Sequence, residues 1–196
     1  MTADATPVRR RRRNPEQTRK AIVDALLEEL KNGRFAPGAK DIAERAGISE
    51  RSVFVHFQSL DDIRQAVVEA QSDYVETLIV TPDPTLPLDK RIDAVVKQSE
   101  AIFTAQRNPR ILGLLESISS KPIDERMRLT DNRIREALAR TFAQELTRND
   151  TLDEELLNLI ESTVGWAYRH SLIDRRGLSQ RAASHAIGRA LRALFG

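Results

Sequence analysis

The sequence predicts an all-α protein in which an N-terminal three-helix unit with a helix-turn-helix precedes a larger helical unit, about nine helices in total. Three observations predict it. Apolar residues recur at spacings of three and four along most of the 196 residues. Helix-start signals precede these runs, and no stretch alternates apolar with polar residues as a half-buried strand does.

The first fourteen residues carry no apolar periodicity and include Arg9, Arg10, Arg11, Arg12 and Arg13, which predicts a basic, solvated arm over 1–14. Such a run either meets a polyanion or is a self-repelling tail that touches nothing. The first helix starts at Asn14-Pro15-Glu16-Gln17, where Asn caps, Pro suits the first helical position and Gln17 completes a capping box. Ile22, Ala25, Leu26 and Leu30 form its apolar stripe, and Gly33 stops it.

A short helical pattern follows from Ala39 to Ala46, with Ile42, Ala43 and Ala46 on one side. Gly47 breaks it, and Ser49 caps a second short helix beginning at Glu50. Two short helices around a Gly-containing turn are the helix-turn-helix signature. Ser59-Leu60-Asp61-Asp62 then opens a longer helix through Ile63, Val67, Ala70, Tyr74 and Leu78.

Pro82, Pro84 and Pro87 interrupt the helical pattern. Beyond them Ile92, Val95, Val96, Ile102 and Phe103 mark a helix over Asp89–Gln106. Ile111, Leu112, Leu114, Leu115 and Ile118 are so crowded that their segment is expected to be nearly enclosed. Ile134, Leu138, Phe142 and Leu146 share one face of a long helix after Pro122. A capping box at Thr151-Leu152-Asp153-Glu154 opens the next, read as one helix through Leu172 to Gly177. Ser179 caps the last, with Ala183, Ala186, Ile187, Ala190, Leu191 and Leu194 on one face.

Composition narrows the functional classes. Hydrophobic residues at 40% exclude general disorder, and the absence of cysteine excludes disulfides, thiol nucleophiles and thiolate zinc sites. No apolar run reaches the roughly 18 residues of a membrane span, so a cytoplasmic address is expected. His56, His170 and His185 lack metal-ligand spacing, and neither a Gly-rich phosphate loop nor a nucleophile elbow is present. No enzyme activity, cofactor or metal is expected. The net charge of +2 divides unevenly: residues 1–60 hold 12 Lys/Arg against 8 Asp/Glu, an excess of four, which leaves a deficit of two for the remainder. The basic end is the one suited to a polyanion.

On a helix of about 100° per residue with Val53 at zero, Phe57 falls near 40°, Phe54 near 100°, Arg51 near 160°, Val55 near 200°, Ser52 near 260° and His56 near 300°. One edge is apolar and the other rich in donors. A solvated surface helix fits this pattern, and so does a major-groove reader. In the second case Arg51 can hold guanine bidentately, Val55 can pack on a thymine methyl, and Ser52 and His56 can reach phosphates.

The stretches TRKAIVDALLEEL and AKDIAERAGISERSVFVHFQSLDDI, with the spacing of DIA, AGIS and the aromatic-x-His-Phe ending, resemble the TetR family of transcriptional regulators. The motif-level match covers about residues 18–63. The resemblance implies a DNA-binding domain over 15–60 and a helical effector-binding and dimerisation domain over 61–196. It assigns Ser49, Arg51, Ser52, Phe54, Val55 and His56 to the DNA side, and Ile42, Ala43, Ile48, Val53 and Phe57 to the core. Three positions depart from the family pattern: Phe54 stands for a usual Tyr, Leu60 for a usual Lys and Gly38 for a usual Thr. Each change removes a phosphate-binding group, and the arginine arm is expected to compensate.

The resemblance further implies a homodimer on a palindromic operator, joined through roughly 154–175 and 179–195, acting as a repressor and released by a small effector. The small residues Ala182, Ala183, Ala186, Gly188 and Ala190 permit close helix approach, between subunits or within one. Phe103, Met127, Phe142, Trp166 and His170 are the candidates for an effector pocket, although helically spaced aromatics also serve as plain core. Few charges fall on inward faces, so a largely apolar effector is expected. The competing expectation is a TetR-fold architectural or protein-interaction factor that binds DNA without an effector.

Overall fold

The computed structural model describes residues 14–148 and 151–196, the side chain of Arg148 apart. Its helices are α1 (Pro15–Lys31), α2 (Ala39–Ala46), α3 (Glu50–His56), α4 (Leu60–Thr77), α5 (Leu88–Gln106), α6 (Pro109–Glu116), α7 (Lys121–Thr141), α8 (Ala143–Leu146), α9 (Glu154–Val164), α10 (Trp166–His170) and α11 (Gln180–Phe195). A π-helical turn, Ser171–Arg175, follows α10. The chain divides into two compact units, one ending at Arg64 and the other spanning Gln65–Gly196. The fold is all-α. The arm residues Arg9 to Arg13 lie outside the described residues.

In the first unit α1 contacts both α2 and α3, and α2 contacts α3. Ile22, Leu26 and Leu30 of α1 are buried, as are Ile42 and Ala43 of α2, Val53 of α3, Phe57 and Ile63. The caps fix where each helix begins. Asn14 Oδ1 accepts the Glu16 N–H, and Ser49 Oγ accepts the Ser52 N–H. Ser59 and Asp62 exchange bonds in a full capping box, Ser59 N–H to Asp62 Oδ2 at 3.0 Å and Asp62 N–H to Ser59 Oγ at 3.2 Å. Gly47 caps α2 at φ +65°, a left-handed conformation that turns the chain sharply into α3. Glu29, fully buried on α1, pairs with Arg34 and Arg45, the second of which comes from α2.

The second unit is built on Ile92 and Val95 of α5, Leu138 of α7, Leu157 and Ile160 of α9, and Ile187 and Leu191 of α11. Phe142 and Leu146 belong to the same core. Phe142 is a joint (φ −111°, ψ 24°) between α7 and the single turn α8, so the face expected over Ile134–Leu146 is kept while the helix is not continuous.

Several local readings are corrected. Thr151 does not cap α9: Asp153 does, accepting the Leu156 N–H at 2.9 Å. Thr151 and Leu152 instead pair antiparallel with Thr147 and Arg148, a two-residue ladder too short to leave an alternating pattern in sequence. The single helix expected up to Gly177 is interrupted at Gly165, which is extended at ψ 159° and lies so close to the Glu161 carbonyl that a Cβ there would approach it to 3.0 Å. On α4 the buried stripe runs Val67, Val68, Gln71, Ser72 and Val75, leaving Tyr74 exposed. The α6 segment is not enclosed: Leu112 and Gly113 are buried, but Leu114, Leu115 and Ile118 are exposed, Ile118 to 84%. Helix α7 covers only one side of α6, on which Met127 lies so close to Gly113 that a Cβ there would meet its Sδ at 2.8 Å.

One buried ion pair links α5 to α8. Arg91, 2% exposed, donates to both Glu145 carboxylate oxygens at 2.7 and 2.6 Å, to the Thr141 carbonyl at 2.9 Å and to the Leu86 carbonyl at 2.9 Å. These bonds satisfy a buried guanidinium and fix the chain before α5 to the α7–α8 joint. The Arg91 hydrogen bonds hold the Glu145 carboxyl below its ordinary value, against the opposing effect of burial. Because the folded-state value is depressed, the stability from this pair is fully present above the unfolded carboxylate value and is lost as pH falls through the folded one. Glu145→Gln should therefore lower stability at pH 7 by about 3 kcal/mol and flatten its decline as pH falls below the ordinary carboxylate value, as read by urea unfolding at successive pH values.

Candidate functional site

The first unit presents α3 with two distinct faces. Val53 is 0% exposed and Phe57 is also buried, whereas Arg51 and Phe54 are exposed and Val55 is 73% exposed. Ser52 and His56 are half-buried at the edges. Ser49 is exposed, and its lone pair is occupied by the Ser52 N–H while its hydroxyl proton stays available. The structure thus brings Arg51, Phe54 and Val55 onto one open surface, with Ser49, Ser52 and His56 beside it. Ile48, read as core, is half-buried.

Arg19 of α1 was not singled out by sequence. Its guanidinium lies over the Phe57 ring, 4.0 Å from the centroid, and Nη1 donates to the His56 carbonyl at 2.9 Å. The last carbonyls of a helix lack intrahelical partners, so this bond satisfies one of them and fixes the C-terminal end of α3. The two residues are 37 positions apart, and no spacing rule connects them.

The second unit contains a cavity of about 390 Å³ whose wall includes Val95, Ile102, Phe103 and Gln106 of α5, Ile134 of α7, and Val164, Gly165 and Trp166 around the α9–α10 break. The extended Gly165 turns the chain here and brings Trp166 to the wall. Phe103 and Trp166 face each other at 6.2 Å between ring centroids, tilted by 38°. Of the five pocket candidates, Phe103 and Trp166 line this cavity and three do not. Met127 lines a separate space of about 20 Å³ beside Val67, Val68 and Gly113. Phe142 is fully buried against Phe195, with centroids 4.9 Å apart, as plain core. His170 stacks on the Trp166 ring at 4.5 Å and 10° and pairs through Nδ1 with Asp174 at 2.8 Å. It supports the wall from behind.

The expectation of few inward charges is also corrected. Arg110, Asp131 and Glu161 line the cavity, and none belongs to an apolar stripe that periodicity could reveal. Arg110 pairs with Asp131 at 2.8 Å, and Glu161 pairs with Arg135. A further buried cation, Arg169, lies behind Ser99 and donates to Ser184 Oγ at 2.9 Å, which in turn donates to Glu100 at 2.5 Å. Burial pushes the Arg169 guanidinium down from its ordinary value. Among the described residues no cluster of three or more His, Cys, Asp or Glu can hold a metal ion, and no helix is long and apolar enough to cross a membrane.

A capped two-helix turn with one exposed face, in a chain that also holds a larger helical unit, has the arrangement of helix-turn-helix transcriptional regulators. Comparison with known proteins gives the same class. No family model matches the chain. The transcriptional regulator SrpR of Pseudomonas putida, described as helix-turn-helix type, is 30% identical over 159 residues, covering 76% of this chain and 70% of that protein. Among solved structures, a transcriptional regulator from Saccharomonospora viridis in complex with choline superposes with a TM-score of 0.73 at 15% identity, over 90% of this chain and 96% of that one. The TetR-like regulator LfrR from Mycobacterium smegmatis in complex with proflavine gives 0.63 at 20% identity, over 91% and 96%. The chain belongs to the TetR family of transcriptional regulators and is not an enzyme.

Proposed function

We propose that this chain is a homodimeric repressor that binds a palindromic operator through α3 and is released when a small, largely apolar effector occupies the cavity of the second unit. The observation that carries the DNA reading is the polarity of α3. Val53 and Phe57 are buried while Arg51, Phe54 and Val55 stand clear of the unit. In this reading Arg51 and Val55 meet base edges in the major groove, and Ser49, Ser52, Phe54 and His56 position the helix against the backbone. Arg9, Arg10, Arg11, Arg12 and Arg13 add contacts to phosphates or to the minor groove, in place of those that Gly38, Phe54 and Leu60 do not supply.

Two half-sites one helical turn apart require two rigidly held copies. The dimer is proposed to form through roughly 154–175 and 179–195. Ala183 and Gly188 pack inside the unit, so the surface offered by α11 is that of Ala182, His185, Arg189 and Ala193, with Leu159 exposed to 47% on α9. The cavity walled by Phe103 and Trp166 favours the effector-responsive reading over a ligand-free architectural factor. Relatives in complex with choline and with proflavine accord with that preference.

Sites selected from random duplex DNA at fixed salt should converge on a palindrome, and duplexes varied around it provide the measurements that follow. Arg51→Ala should cost about 1–3 kcal/mol and relax preference at one base pair per half-site; uniform weakening over all sequences would make Arg51 a phosphate contact instead. Removing residues 1–13 should flatten the dependence of log K on log salt by up to about 4 per subunit, at about 0.9 for each phosphate released, and an unchanged slope would exclude the arm from the complex. Leu159→Arg should shift the protein from dimer to monomer in sedimentation velocity at micromolar concentration, and a persisting dimer would remove this face from the interface.

A further inference from the structure

The polar groups around the larger cavity differ sharply in whether they are already engaged. We infer that the cavity selects a neutral, largely apolar molecule bearing one amide or carbonyl group, and that Gln106 is the residue that recognises this group. The inference rests on the effector reading above and names the chemical class that reading leaves open.

Every charged side chain in the wall has an opposite charge beside it. Arg110 holds Asp131 at 2.8 Å, and Glu161 is held by Arg135, whose other nitrogen reaches Glu154. A charged ligand entering here must either break one of these pairs or be desolvated against a largely apolar wall without a free counter-charge, and both are costly. Net attraction for a cation or an anion is therefore weak.

Two neutral groups are at least partly engaged. Gln98 Oε1 accepts the Val80 N–H at 2.6 Å. Ser99 Oγ donates to the Val164 carbonyl at 2.6 Å and accepts from Arg169 at 3.4 Å. Gln106 differs. It is 7% exposed in the last turn of α5 and lines both the larger cavity and the smaller one. Among the described residues its amide makes no hydrogen bond, although it is not among the sealed polar atoms of the interior. Some of its surface stays accessible, and the residue borders both spaces.

A ligand that covers this amide displaces water from one acceptor and two donors, and a ligand that pairs with them replaces the lost bonds. A ligand of the same shape without the group does not, which makes the amide a discriminator rather than a general source of affinity. The walls suit the remainder of such a molecule. Val95, Ile102, Leu114 and Ile134 are apolar, and the Trp166 ring is braced by the stacked His170.

Trp166 is the chain's single tryptophan and lines the cavity, so its emission reports occupancy. Four naphthalene probes of matched size test the assignment by titration of the full-length protein: N-methyl-2-naphthamide, 2-ethylnaphthalene, 2-naphthoate and (2-naphthylmethyl)trimethylammonium. The wild-type protein should bind the naphthamide about tenfold more tightly than the hydrocarbon, and more tightly than either ion. Gln106→Leu should abolish the preference over the hydrocarbon without weakening hydrocarbon binding. Gln106→Met, which keeps side-chain length, should behave the same and guards against a folding defect in the first variant.

An unchanged naphthamide-to-hydrocarbon ratio in folded Gln106→Leu or Gln106→Met overturns the role of Gln106 while leaving the cavity an effector site. Tightest binding by either ion overturns the neutral class. If none of the four probes perturbs Trp166 emission, the effector reading falls and this inference falls with it.

Discussion

The open face of α3 depends on one constraint, the insertion of Val53 and Phe57 into the core of the first unit. A helix of seven residues has too few turns to be stable alone, so its rotation about its own axis is set by the side chains it buries. With Val53 at 0% exposure and Phe57 capped by the Arg19 guanidinium, the residues half a turn away have only one direction left, which is outward. Gly47 and the Ser49 cap determine where the helix starts, and Arg19 fixes where it ends.

The second unit solves a different problem. A cavity of about 390 Å³ forgoes packing contacts that a filled core would make, so the surrounding walls must be held by other means. Apolar packing of α5, α7, α9 and α11 supplies most of that hold. The Arg91–Glu145 pair and the Arg169–Ser184–Glu100 chain add directional bonds on the helices that wall the space. Engaged polar groups help keep a wall rigid, and the Gln106 amide makes no such bond among the described residues.

The stripes of α1, α5 and α11, the capping of α4 and the two-helix turn were legible in sequence because each is a local pattern fixed by helix periodicity and turn chemistry. The misread segments share a cause. The crowded apolar run of α6 is enclosed only if neighbours exist on all sides, and periodicity reports what a helix can bury rather than what lies next to it. Gly165 reads as a tolerable glycine within a helix, yet a close approach to the Glu161 carbonyl and an extended ψ end α9 there. The lining of the cavity was legible only in Phe103 and Trp166, because Gln106, Arg110, Asp131 and Glu161 are polar residues that no apolar stripe includes.

The sequence by itself determined the helical class, the caps at Asn14, Ser49, Ser59 and Ser179, the Gly47 turn, and the two faces of α3, since all of these follow from interactions within a few residues. The tertiary structure alone decided that Arg19 holds α3 across 37 residues, that Met127, Phe142 and His170 stand away from the larger cavity, and that the buried Gln106 makes no side-chain hydrogen bond among the described residues. Such facts depend on which side chains meet across helices, and a one-dimensional pattern records the spacing along a helix but not the neighbour it faces.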